Sequence, residues 1–201
     1  MAKGVLLIIS GPSGSGKGTI VEQLVSELGY CVSISATTRN PRPNDGIHYF
    51  FKTKEEFEKM IDNGELLEHA AFCGNYYGTP KKYVEEQLES GKNIILEIEV
   101  QGALQVKKKY NDAVLIFTMP PTLTELRRRL EFRGTETKEV IDARINRAEE
   151  ELEFLPDYDY IVINDTVDEA VKDVDCIVKA ERMKCSRNPE LKNKFKGVVN
   201  K

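Results

Sequence analysis

Apolar residues along this chain alternate between two patterns. A continuous apolar run begins at Val5 and is closed by Gly11, which is typical of a strand buried on both faces. Apolar positions then recur at helical spacing from Ile20 to Leu28, and Gly29 predicts the end of that helix. The same alternation predicts further strands at 31–35, 93–99, 113–119 and 160–163, and helices near 101–109, near 122–131, over 138–155 and from Thr166 onward. The pattern therefore predicts an α/β fold with a five-stranded parallel sheet flanked by helices.

Residues 36–91 interrupt this alternation with short mixed runs and two helices. Thr53 and Glu56 have the spacing of a capping box at the start of the first helix, which ends at Gly64. The second helix begins at Thr79-Pro80 and ends at Gly91. The segment 36–91 is therefore predicted to form an inserted α+β lobe between two strands of the core sheet.

Composition limits the classes of function. With 201 residues, 40% of them hydrophobic and 31% charged, the chain can form one core with a small insert or lid. A net charge of -4 argues against a nucleic-acid-binding protein. No apolar run approaches the roughly 20 residues needed to span a bilayer, and the first residues are better explained as a strand than as a secretion signal. The four cysteines, at 31, 73, 176 and 185, lack metal or redox spacing, so we expect thiols in a reducing cytoplasm.

The segment after the first strand has the character of a phosphate-binding loop. Its glycines allow backbone conformations that turn successive N–H groups toward one anion, and the helix that follows contributes the positive end of its dipole. Lys17 can reach the outer phosphates of a nucleotide. Gly18 occupies the place directly after the lysine where a hydroxyl residue is usual, and Thr19 follows it. The predicted nucleoside triphosphate site comprises Gly11, Pro12, Ser13, Gly14, Ser15, Gly16, Lys17, Gly18 and Thr19.

Two groups of charged residues lie at or beyond predicted strand ends. Arg39 and Arg42 lie on either side of a proline just after the strand 31–35. Two guanidinium groups placed in this way favour a phosphate-binding site over the alternative interpretation, a solvated loop. Glu97 and Glu99 end the next strand and differ by two, so strand geometry predicts a shared face. Acids at the end of a buried strand suggest a ligand, a metal or a cation. Glu68 alone is equally well explained as an acid on a half-exposed strand.

A third group of charges is a cluster of arginines between 127 and 147. Arg129 and Arg133 share one helix face, and Arg144 and Arg147 share another, close to a buried stripe. Gly134 could act as a hinge that carries these residues over the phosphate loop. A charged outer helix face is the competing interpretation, and it is strongest for Arg127, Arg128 and Arg147.

Six separated segments, found in order between about residue 4 and residue 180, together resemble guanylate kinases. They are GPSGSGKGT, TTRNPRP, GNYYGTP, ILEIEVQG, LEFRGTET and VIND. The resemblance implies a P-loop kinase fold in three parts, which are a core (1–35, 92–125 and 157–201), a GMP-binding lobe (36–91) and a helical lid (126–156).

The resemblance also implies roles for individual residues. Ser35, Arg39, Arg42, Tyr49 and Tyr77 would hold the GMP phosphate, and Glu68, Thr79 and Glu97 would meet the guanine edge. Lys17, Arg129, Arg133 and Arg144 would act on the transferred phosphoryl group, and Asn164 would contact ATP. Mg²⁺ would be held mainly by nucleotide phosphates and water, with Thr19 or Glu99 as a further ligand.

The implied reaction is phosphoryl transfer from ATP to GMP, with dGMP as a further acceptor, in a monomer or homodimer. Two alternatives remain open at this point. The chain could be a guanylate-kinase-like protein-interaction module without activity, or a P-loop kinase for a different nucleotide acceptor.

Overall fold

The computed structural model describes residues 3–41, 49–72, 74–134 and 136–196, with no side-chain description for Phe72. Its regular elements are β1 (Leu6–Ser10), α1 (Lys17–Leu28), β2 (Cys31–Val32), β3 (Ser35–Thr37), β4 (Tyr49–Phe51), α2 (Lys54–Asp62), β5 (Leu66–Phe72), β6 (Asn75–Pro80), α3 (Lys81–Glu89), β7 (Ile94–Glu97), α4 (Val100–Lys109), β8 (Val114–Met119), α5 (Leu123–Phe132), α6 (Lys138–Leu152), β9 (Tyr160–Ile163), α7 (Val167–Met183) and α8 (Glu190–Lys196).

The core is a five-stranded sheet in the order β2-β7-β1-β8-β9 with every pairing parallel, which confirms the predicted fold class. Every residue of the central strand β1 is buried. Leu7 and Ile9 pack with α1 and α7 on one face, and Leu6 and Ile8 pack with α3 and α4 on the other. Burial of both faces explains why the strand is a continuous apolar run.

The inserted segment forms a second sheet of four strands, in the order β4-β3-β6-β5. Phe57 of α2 is fully buried against this sheet. The predicted capping box is present, because the backbone N–H of Thr53 donates to Glu56 Oε2 (2.8 Å) and the backbone N–H of Glu56 donates to Thr53 Oγ1 (3.1 Å). Both of these backbone N–H groups thereby have a hydrogen-bond acceptor, which fixes where α2 begins.

Two predicted elements differ in the structure, in addition to the strand predicted over 93–99, which ends at Glu97. The single strand expected over 31–35 is wrong, since β2 belongs to the core sheet and β3 to the second sheet. The backbone N–H of Ser33 still donates to Ile95 O (2.8 Å), and the chain then passes from one sheet to the other. The helix predicted over 138–155 ends at Leu152. Pro156 has no N–H to donate to Leu152 O, and the chain continues in tighter turns that end in a 3-10 helix over Leu155–Asp157.

Helix α3 packs with the core sheet, although its sequence lies within the segment 36–91 assigned to the lobe. Val84 and Leu88 belong to the same apolar cluster as the strand residues Ile8 and Ile94. Helix α3 therefore connects the lobe to the core layer.

Helices α5 and α6 form a unit with its own apolar cluster, built from Leu126, Leu130, Ile141, Ile145 and Ala148. Gly134 lies between the two helices with φ +64°, a conformation that suits glycine. After α7, the basic tail forms α8 as far as Lys196. Among the described helices, none is sufficiently long and apolar to cross a bilayer.

Candidate active site

The loop between β1 and α1 is shaped by its glycines. Gly11, Gly14 and Gly16 have φ values of +137°, +95° and +90°. A Cβ atom at Gly11 would lie 2.2 Å from Thr118 O, and one at Gly16 would lie 2.3 Å from Asn164 Nδ2. Other residues would therefore clash as well as strain the backbone. Helix α1 begins at Lys17, so its N-terminal N–H groups open onto the loop.

Lys17 lies across this loop. Its Nζ donates to Gly11 O (2.5 Å) and to Pro12 O (3.0 Å). Burial lowers the pKa of Lys17, and the carboxylates of Glu97, Glu151 and Glu99 counteract that effect. The ammonium group is thus held among carbonyl oxygens and carboxylates beside the phosphate loop.

The end of β9 supports the loop from behind. Asn164, only 2% exposed, donates from Nδ2 to Ser15 O (2.8 Å). Within the described part of the chain, Asn164 Oδ1 and the buried Ser15 Oγ have no hydrogen-bond partner. Both atoms are buried, so Asn164 acts on the loop through its hydrogen bond to Ser15 O.

The helical unit α5–α6 brings arginines to the same loop. Arg129 donates from Nη2 to Asn164 O (2.9 Å) and from Nε to Glu125 Oε1 (2.8 Å). Arg144 donates to Ser13 Oγ in the loop and pairs with Glu136 (2.6 Å). These contacts bring α5 and α6 over the phosphate loop, the position expected of a lid.

Arg133 and Leu130 also approach the loop. Arg133 is exposed at the end of α5, and its charge lowers the pKa of Lys17, so it lies within electrostatic reach of that ammonium group. A Cβ atom at Gly14 would lie 2.8 Å from Leu130 Cδ2. The approach of the lid to the loop therefore combines charged and apolar groups.

A second site lies between the core and the four-stranded sheet. A cavity of about 320 Å³ is lined by Ser35, Tyr49, Glu68, Tyr77, Glu97 and Glu99, among others. A neighbouring cavity of about 410 Å³ shares Ser35, Tyr49 and Glu97 and adds Thr79. The structure thus brings together seven residues predicted from four separate segments of the sequence.

Aromatic rings form one wall of this site. Tyr49 and Tyr77 meet edge to face at 6.4 Å between ring centroids. The guanidinium of Arg39 lies 5.3 Å from the centroid of the Tyr49 ring, which fixes the arginine beside the cavity. Arg42 lies outside the described residues.

Glu68 is a buried acid in the cavity wall. It is 6% exposed, and its Oε1 accepts from Thr79 Oγ1 (2.7 Å). Burial raises the pKa of Glu68, which the hydrogen bond to Thr79 partly offsets. A Cβ atom at Gly102 of α4 would lie 3.3 Å from Glu68 Oε2, so the helix backbone passes close to the carboxylate.

The expectation that Glu97 and Glu99 share the face of one strand is wrong. Strand β7 ends at Glu97, and Glu99 is the N-cap residue of α4. Both carboxylates nevertheless act on Lys17. A Cβ atom at Gly18 would lie 3.8 Å from Glu97 Oε1, so Glu97 lies between the phosphate loop and the second cavity. Thr19 is exposed on the first turn of α1.

Arg147 makes a contact with the core that the sequence does not predict. Its Nη2 donates to Glu99 Oε2 (2.7 Å) and its Nε donates to Glu151 Oε1 (3.1 Å). Spacing along the helix indicates the contact with Glu151, but it gives no sign of the contact with Glu99. Arg127 and Arg128 instead pair within the lid, with Asp142 and Glu125.

Comparisons with known proteins agree with this architecture. A family model described as "Guanylate kinase" matches residues 3–181. Guanylate kinase from Desulfitobacterium hafniense is 48% identical over 198 residues, 97% of this chain and 98% of that protein. The enzyme from Halalkalibacterium halodurans is 54% identical over 188 residues, 92% of each chain. The crystal structure of guanylate kinase from Anaplasma phagocytophilum superimposes with a TM-score of 0.69 at 34% identity, covering 92% of this chain and 90% of that one. This chain belongs to the guanylate kinase family.

Proposed function

We propose that this protein transfers the terminal phosphoryl group of ATP to GMP, giving ADP and GDP, and that the residues described above perform the transfer. The observation that carries the proposal is the placement of two sites on either side of Glu97. A phosphate loop with its lysine lies on one side, and a cavity with the buried carboxylate of Glu68 lies on the other.

The donor nucleotide would bind at the loop from Gly11 to Thr19. Backbone N–H groups and the start of α1 would surround its phosphates, and Lys17 would exchange its carbonyl partners for phosphate oxygens. Asn164, the predicted ATP-binding residue at the end of β9, holds the loop in this shape through its hydrogen bond to Ser15 O.

The acceptor would bind in the cavity between core and lobe. Ser35, Arg39, Arg42, Tyr49 and Tyr77 would fix the GMP phosphate, with Arg39 already set against an aromatic ring. Glu68, positioned by Thr79, can accept from guanine N1–H and the 2-amino group together. Adenine presents a lone pair at the equivalent ring nitrogen and would leave a buried carboxylate unpaired, so the site would select guanine.

The chemical difficulty is charge rather than proton transfer. The attacking phosphate oxygen is ionised at neutral pH, so we assign no general base. Lys17 and the lid residues Arg129, Arg133 and Arg144 would compensate the charge of two anionic nucleotides, most strongly once the closed lid excludes water.

Mg²⁺ would enter with ATP. We expect the ion to be bound mainly by nucleotide phosphates and water. The hydroxyl of Thr19 and the carboxylate of Glu99 are the predicted protein ligands, and Glu97 beside Gly18 joins them as a candidate. When bound, Mg²⁺ neutralises charge on the β- and γ-phosphates.

The interaction-module alternative gains no support from these residues. Lys17, Arg129 and Arg144 are all present and all contact the phosphate loop or its support, as a working transferase requires. We also propose a cytoplasmic location, which rests on the lack of metal or redox spacing among the cysteines in the sequence.

A coupled assay of ADP release tests the proposal. ATP is offered with GMP, dGMP, AMP, CMP or UMP, and we expect turnover with GMP and weaker turnover with dGMP. Lys17→Ala should abolish turnover with GMP, and circular dichroism should show that the variant keeps its fold. Equal turnover with AMP would contradict the proposed guanine site, and equal turnover in the Lys17→Ala protein would contradict the proposed donor site.

A further inference from the structure

An ion pair joins the lid to the core beside the phosphate loop. Arg147 Nη2 on α6 lies 2.7 Å from Glu99 Oε2, which precedes α4 in the core. Arg129 and Arg144 also contact the core from the lid, but they donate to uncharged groups, the carbonyl oxygen of Asn164 and the hydroxyl of Ser13. Among the ion pairs described for residues 3–41, 49–72, 74–134 and 136–196, Arg147–Glu99 is the one that links these two parts.

Arg147 is held in place for this contact by its own helix. Its Nε donates to Glu151 Oε1 (3.1 Å), one turn further along α6, and the Glu151 side chain is 13% exposed. One edge of the guanidinium is thereby fixed, and Nη2 is directed toward Glu99. The planar guanidinium group of arginine can contact two carboxylates in a fixed geometry, which the ammonium group of lysine cannot do.

Glu99 matters because of its neighbour. Its carboxylate is close enough to Lys17 to influence that ammonium group, so an unpaired Glu99 would place a negative charge beside the phosphates. The Arg147 and Glu99 side chains are 59% and 73% exposed. An ion pair this exposed contributes little to folding. A small coupling between two parts that move relative to one another can still shift the population of the closed lid several-fold.

We propose that Arg147 is a positioning residue, specific to the closed lid, that draws the lid onto the core by pairing with Glu99 and removes the charge of Glu99 from the phosphate site. A test that measures turnover rests on the proposed function, whereas a test that measures the position of the lid does not.

The first test is a double-mutant cycle. Arg147→Ala should raise KM for ATP and lower kcat/KM about 5-fold, because the binding-competent closed state is less populated and an unpaired carboxylate remains beside the phosphates. Glu99→Gln should have a smaller effect of the same kind, because it depopulates the closed state but leaves no unpaired charge. The double variant should lose no more than either single variant. Arg147→Lys should recover part of the loss. Arg128→Ala is the matched control, since Arg128 pairs with Glu125 on its own helix, and it should match the wild type.

The second test reports lid position without turnover. The chain contains no tryptophan, and Phe132 at the end of α5 is 87% exposed, so Phe132→Trp supplies a single donor for energy transfer to mant-labelled ATP. Transfer at saturating nucleotide should fall when Arg147→Ala or Glu99→Gln is added, and it should be unchanged by Arg128→Ala.

Three results would overturn the proposal. They are wild-type kinetics and energy transfer in Arg147→Ala, losses that multiply in the double variant, or a loss in Glu99→Gln far larger than in Arg147→Ala with a raised Mg²⁺ requirement. If the wild type does not phosphorylate GMP, the proposed function fails, while the energy-transfer result still decides the role of Arg147.

Discussion

Glu68 is a charged group held almost out of water with one hydroxyl partner, Thr79. We expect Glu68→Gln to weaken GMP binding by at least about 10²-fold, because the amide presents an N–H where guanine also presents donors. ATP binding at the loop should change little. Calorimetric titration of the variant with each nucleotide separately checks this, and unchanged GMP affinity would remove Glu68 from the guanine site.

The buried position of Glu68 also predicts a pH dependence. Burial raises its pKa above the ordinary value of 4.5, so the carboxylate becomes protonated at a higher pH than an exposed glutamate. GMP affinity should therefore fall as the pH falls through this raised pKa. The effect on stability has the opposite sign, because the folded state binds the proton more tightly and gains stability as the pH falls.

Glu68→Gln is the control for that measurement. The phosphate of GMP itself titrates near pH 6, and this contribution is common to both proteins. The difference between the two affinity profiles isolates Glu68. Parallel profiles over the whole acidic range in which both proteins remain folded would contradict the assignment.

A substitution at Gly102 should affect stability and GMP binding in opposite directions. Gly102→Ala should favour helix α4 by about 0.5–1 kcal/mol. The added methyl group would lie 3.3 Å from Glu68 Oε2, closer than an ordinary contact, so the carboxylate would have to shift. We expect an unchanged or higher melting temperature together with a higher KM for GMP. A higher KM for ATP alone would contradict this contact.

The sequence predicts some of these residues better than others. Lys17 is predictable because its glycines, its helix and its ligand chemistry are contiguous in the chain. Arg147 is not, because its partner Glu99 lies 48 residues away and joins it only when α6 lies over the core. The periodicity of a helix shows which residues share a face, but it does not show what that face meets.

At the scale of elements, the phosphate loop depends on the strand that ends behind it. Asn164→Ala would leave Ser15 O without its donor in a buried position, which should cost about 1–3 kcal/mol of folding free energy. The same change should raise KM for ATP more than KM for GMP. Chemical denaturation and steady-state kinetics measure the two effects. Asn111→Ala, at an exposed turn, is the matched control and should leave both unchanged.

Elements that lie within one layer were predicted well. Strand β9 has the bounds that the sequence indicated, and all of it pairs with one neighbour, β8, in the core sheet. The run CVSIS was predicted as one strand because its pattern is uniform, but the chain changes sheets within it. Hydrophobic alternation contains no information on which sheet receives a strand.

At the scale of the whole molecule, core, lobe and lid each bury an apolar cluster of their own, and Leu123 and Leu152 at the ends of the lid helices also pack on the core around Phe117. The lid reaches the phosphate loop through polar groups, in Arg129 and Arg144, and through Leu130 near Gly14. Polar contacts of this kind can break and re-form while each part keeps its own core. The architecture therefore fits a lid that moves as a unit.

Such a lid should protect the phosphoryl group from water as well as stabilise its transfer. Arg144→Ala removes the contacts of α6 with Ser13 and Glu136 and one of the positive charges over the loop. We expect kcat for GDP formation to fall by about 10²–10⁴-fold, as for other groups that compensate charge in a transition state.

The sharper measurement for Arg144→Ala is the ratio of ATP consumed to GDP formed. In the wild type the ratio should be close to one, because closure excludes water before transfer. In Arg144→Ala it should rise above one, since a lid held less firmly admits water to the same phosphoryl group. Arg128→Ala should keep the wild-type ratio. A ratio of one in Arg144→Ala, with turnover reduced, would show that Arg144 stabilises transferred charge without contributing to closure.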